Sequence, residues 1–83
     1  QGKYDEANRL YERAIAIGEK TLGADHPSVA ITLTNLADLL AKQGDSDKAK
    51  RLFERALAIS RASLGSDHPQ TEQIAARMRQ TLS

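Results

Sequence analysis

The chain has 83 residues, of which 40% are hydrophobic and 28% charged, and this length supports one small domain. Twelve Lys or Arg are interspersed with eleven Asp or Glu and leave no basic stripe for phosphates, so nucleic acid is excluded as the expected partner. With no cysteine there is neither a disulfide framework nor a thiolate metal site.

The chain opens on Gln1-Gly2-Lys3-Tyr4, which has neither an initiator Met nor signal-peptide architecture; a cytoplasmic piece of something longer is expected. A helix is predicted over residues 5–22, where Ala7, Leu10, Tyr11, Ala14, Ile17 and Leu22 recur on one face. The longest apolar run, residues 14–17, is far short of a membrane span, and no membrane partner is expected. Gly23 falls where a helix ends in a left-handed residue. Pro27 suits a first helical turn and pushes His26 out of the α region, as a helix cap must be. The second helix is predicted over 27–43, with Val29, Leu33, Leu36, Ala37 and Leu40 as its apolar stripe. A third, over 47–64, carries Ala49, Leu52, Phe53, Ala56 and Ile59, and Gly65 ends it. The fourth, over 69–82, follows His68-Pro69 and carries Ile74, Ala75, Met78 and Leu82. No strand is expected.

The first and third helices are copies. Residues 2–27 laid on residues 44–69 agree at 15 of 26 positions, a repeat of 42 residues that ends in Leu-Gly-x-Asp-His-Pro both times. With the Pro27-type helix as A and the Asp5-type helix as B, the order is B, A, B, A. Residues 1–83 are therefore read as one array of about two repeats that starts in mid-repeat.

These residues resemble a tetratricopeptide repeat. Leu33-x-x-Leu36-Ala37-x-x-Leu40 matches the helix A pattern of that family, and Ala49, Phe53 and Ala56 match helix B. The 42-residue period and the His-Pro junction are similar to the repeats of kinesin light chains. Ser46 departs from the family's Tyr, which is present at Tyr4, and Arg79 stands in place of a small residue. The resemblance implies an all-α solenoid of helical hairpins, a right-handed superhelix, that binds a peptide or partner protein and uses no cofactor.

On that resemblance helix A lines the concave surface. With its leucines turned inward, the helical wheel leaves Ile31, Thr34, Asn35, Asp38, Ala41 and Lys42 for the groove. Thr34, Asn35, Asp38, Lys42 and Arg77 are the candidate peptide-binding residues. Asn35 precedes the Leu-Ala pair, where peptide-binding repeats carry an amide that can both donate and accept. Arg77, its equivalent one repeat on, could meet a carboxylate.

Asp25-His26 and Asp67-His68 lie a repeat apart with no further ligand beside either, which favours helix capping over a metal site. Tyr4, Tyr11 and Phe53 fall at repeat-specific core positions. Ser and Thr are scattered without a His-and-acid arrangement, so no enzyme is expected. An interaction scaffold is the leading reading; the alternative is an assembly element stacking end to end into homo-oligomers. Both terminal faces of the array are expected to expose apolar side chains, Leu10, Tyr11 and Ile17 at one end and Ile74, Met78 and Leu82 at the other.

Overall fold

The computed structural model describes residues 2–83 and holds four helices: α1 (Gly2–Leu22), α2 (Pro27–Lys42), α3 (Ser46–Leu64) and α4 (Pro69–Leu82). Among the described residues there is no strand, and the chain is an all-α array of helical hairpins. The expected boundaries hold to within one residue except at the start, where α1 begins at Gly2 rather than near Asp5.

Each junction has a physical cause. His26 and His68 adopt extended backbone (φ −73°, ψ 139° and φ −70°, ψ 140°), and each Nδ1 accepts the N–H two residues on, Ser28 or Gln70, at 3.0 Å. The intervening proline has no N–H to satisfy, so the imidazole reaches past it to the first free donor of the helix. The histidines are caps, as their position before Pro suggested. The α2–α3 turn closes with Gly44 at φ 92°, where Gly44 N–H donates to Ala41 O (3.0 Å) and Asp45 N–H to Leu40 O (2.9 Å). That pair of bonds is the Schellman motif, which needs a positive φ that glycine adopts without cost. Asp45 then caps α3 by accepting Lys48 N–H.

The core lies around α2, which packs on α1, α3 and α4 and has its most extensive interface with α3. Leu33, Leu36, Ala37 and Leu40 of α2 are buried with Ala49, Phe53 and Ala56 of α3. Alanines at Ala37, Ala49 and Ala56 let the backbones close up, while Phe53 and the leucines fill the groove between them. Helix B has a second seam, toward the next helix A, which the single-stripe reading did not include. It holds Ile15 on α1 and Leu57 on α3, both buried.

The two copies solve this second seam differently. In the first, Gly18 faces Val29 so closely that an added Cβ would lie 3.2 Å from Val29 Cγ2. In the second, the equivalent Ser60 and Thr71 share a buried hydroxyl–hydroxyl bond of 2.7 Å. The Ser60–Thr71 pairing satisfies both hydroxyls, and no buried side-chain nitrogen or oxygen among the described residues lacks a partner.

Several expected placements change. Ala14 is exposed and Ala7 only half-buried, although their copies Ala56 and Ala49 are fully buried. The reason is that α1 has a helix on one side only. Tyr4 is exposed rather than core, Tyr11 and Leu52 are half-buried, and Leu10 and Ile17 are exposed as expected. Ile74 is buried, not exposed: it belongs to the core cluster and lines the groove with Ile31 and Thr34. Met78 and Leu82 pack half-buried against the core.

Leu36 (3% exposed) and Leu10 (58% exposed) test the face assignment with the same substitution. Leu36→Ala should cost about 2–5 kcal/mol and Leu10→Ala no more than about 0.5 kcal/mol, read by urea denaturation of each variant. Equal losses at the two sites would contradict the packing described.

Candidate functional site

Helices α2 and α4 lie side by side along the array, and between them runs a groove of about 530 Å³. Its lining comes from Ile31, Thr34 and Asn35 on α2 and from Gln70, Gln73, Ile74, Ala76, Arg77 and Gln80 on α4. The spacing follows from helix periodicity, since positions three, four and seven apart share one side of each helix. Apolar atoms of Ile31, Ile74 and Ala76 alternate with carboxamides, so the groove offers both contact area and hydrogen-bonding groups.

A polar clamp spans α2 and α4 at one end of this groove. Arg77 Nη1 lies 3.1 Å from Asp38 Oδ2 and donates to Asn35 Oδ1 at 3.2 Å. Thr81 Oγ1 donates to the other carboxylate oxygen of Asp38 at 2.8 Å. At the opposite end Gln70 Nε2 donates to Pro27 O at 3.2 Å. Asn35 is thereby oriented with its carbonyl toward Arg77, which leaves its amide N–H groups as donors.

The five sequence-derived candidates separate on this geometry. Asn35, Asp38 and Arg77 are brought together, and Asn35 and Arg77 line the groove. Thr34 lies at the floor but is 5% exposed, and its hydroxyl donates to Ala30 O at 2.8 Å. Its hydroxyl proton is used within its own helix, at the floor of the groove. Lys42 lies outside the groove, in a shallow recess with Tyr4, Asp5 and Gln43. It sits at the last residue of α2, beyond the stretch where α4 supplies a facing wall. Gln70, Gln73 and Gln80 were missed. Their signal was the repeat itself, because Gln73 and Gln80 stand 42 residues after Ile31 and Asp38, two positions already assigned to the groove.

Among the described residues no group of three His, Asp or Glu is gathered as a metal site, and no helix is long and apolar enough to cross a membrane. Paired helices around alanine seams, with a groove between successive A helices, define a helical-repeat scaffold. A family model for tetratricopeptide repeats matches residues 1–62 and 35–78. The chain belongs to the tetratricopeptide repeat family, a non-catalytic scaffold whose repeats mediate protein–protein interaction. A comparison with curated protein sequences gives no match.

The clamp is half in solvent, with Arg77 and Asp38 side chains 47% and 27% exposed. A double-mutant cycle of Asp38→Asn and Arg77→Gln should therefore give a coupling of about 0.2–1 kcal/mol that shrinks in high salt. A coupling of several kcal/mol that salt leaves unchanged would mean the pair is structural and closed to ligands.

Proposed function

We propose that the α2–α4 groove holds an extended segment of a partner protein, with Asn35 and Arg77 as its principal polar contacts and Asp38 as the group that orients them. The observation that carries this reading is the row of carboxamides, Asn35, Gln73 and Gln80, beside an apolar floor of Ile31 and Ile74. An extended peptide presents alternating N–H and C=O groups, and carboxamides match both. Side chains on alternate positions of such a peptide would rest on the apolar floor. The volume is of the size that binds small ligands and short peptide stretches, on the order of 300–1,000 Å³.

Family membership supports the same face, since helices of type A form the concave side on the resemblance described above. Arg77 adds a preference. Its guanidinium has donors left after meeting Asp38 and Asn35, so an acidic side chain or a terminal carboxylate of the ligand would be drawn to it.

A displayed library of random unstructured peptides, selected against the chain, tests the assignment. Peptides recovered this way should lose about twofold to tenfold in affinity against Asn35→Ala, the loss of roughly one hydrogen bond, and keep their affinity for Lys50→Ala on the exposed side of α3. Peptides that respond to neither variant, or to both alike, would place the binding surface elsewhere.

A further inference from the structure

We propose that the seam between each helix B and the helix A that follows it carries a pairing code, read at Gly18 and Val29 in the first copy and at Ser60 and Thr71 in the second. In this code glycine takes valine and serine takes threonine. It assigns α2 to α1 and α4 to α3, and it stands apart from the α2–α4 groove and any ligand there.

A chain built from near copies has a use for such an assignment. Ala7, Leu10, Ala14 and Ile17 of α1 are identical to Ala49, Leu52, Ala56 and Ile59 of α3. On the seam itself Ile15 and Leu57 are both large, apolar and buried. Neither set tells one B helix from the other by polarity. Exchange of equivalent elements is the characteristic misassembly of repeat proteins. The position that does differ in kind is Gly18 against Ser60, and the residue facing it differs with it, Val29 against Thr71. In both copies the two stand eleven residues apart and meet across the seam.

Each pair is closed to the other's partner. An added Cβ at Gly18 would lie 3.2 Å from Val29 Cγ2, tighter than ordinary van der Waals contact. Val29 is 2% exposed and β-branched, with one strongly preferred rotamer in a helix, so giving way means leaving that rotamer or moving the helix. A serine in place of Gly18 therefore presses on it. In the second seam Ser60 and Thr71 are both buried and bond each other at 2.7 Å. Valine in place of Thr71 keeps the shape but takes away the partner of the Ser60 hydroxyl. Glycine in place of Ser60 does the same to Thr71 and leaves a gap beside it. Threonine in place of Val29 sets a hydroxyl against a residue with no side chain to meet it. One matched pair is fitted by size and the other by a hydrogen bond, and every crossed pair loses its fit.

Exchanging residues between the copies tests the code at constant composition. Gly18→Ser with Ser60→Gly mismatches both seams, and Val29→Thr with Thr71→Val does so from the other side. All four changes together rebuild a serine–threonine pair in the first seam and a glycine–valine pair in the second. The helices contain the same residues in every variant, so their summed helix propensity is unchanged. Each half-exchange should lower the melting temperature by at least about 5 °C, and the full exchange should return to within about 2 °C of the parent. If the positions act independently, the shift of the full exchange is the sum of the two half-exchanges, and that result overturns the code. Half-exchanges that melt with the parent overturn it too. A half-exchange with no cooperative transition supports the code when the full exchange folds, and counts against it when the full exchange does not.

Discussion

The close approach of α2 and α3 at Ala37, Ala49 and Ala56 is the constraint from which the rest of the molecule follows. Three methyl-sized side chains, none with measurable exposure, allow Phe53 and the α2 leucines to interdigitate rather than hold the helices apart. A larger residue at any of these positions would separate the hairpin and open the core that a chain of this size can least spare. The Schellman turn at Gly44 and the Asp45 cap fix the short connection that brings those faces together. Stability in such an array is a sum of neighbour contacts, and α2–α3 is the largest of them.

Because α2 is held on both sides, its remaining face is free to carry a groove. Helix α4 repeats the position of α2 by the 42-residue step, so side chains one repeat apart fall next to each other across the groove. Arg77 meets Asn35, its own counterpart, and Thr81 and Arg77 both meet Asp38. Contacts of this kind are weak individually in solvent. Their contribution is orientation: they set the carboxamide and guanidinium groups at fixed places on the two helices.

Much of this was legible in the sequence. Helix boundaries, the His-Pro caps and the buried alanines follow from periodicity and from the physical demands of helix ends, and these are local. The assignments that failed depend on what lies beside a residue rather than on the residue. Ala14 and Ala56 are the same amino acid in the same motif, and only the neighbouring helix distinguishes exposed from buried. Ile15, Leu57 and the Ser60–Thr71 bond belong to a second seam that a search for one apolar stripe passes over. Thr34 reads as a surface polar residue, yet a threonine can return its proton to its own helix and sit in the floor of a groove. Lys42 was placed by a helical wheel, which has no knowledge of where the facing helix stops.

Residue-by-residue amide hydrogen exchange under native conditions tests the central claim most directly, that α2 and α3 form the nucleus on which α1 and α4 rest. The amides of Leu33–Leu40 and of Phe53–Ile59 should exchange only through global unfolding, while those in the equivalent stretch of α1, residues 11–17, should exchange through a smaller, separate opening. Protection in α1 equal to that in α3 would contradict this account, since two helices of nearly the same sequence would then be equally stable despite their unequal packing.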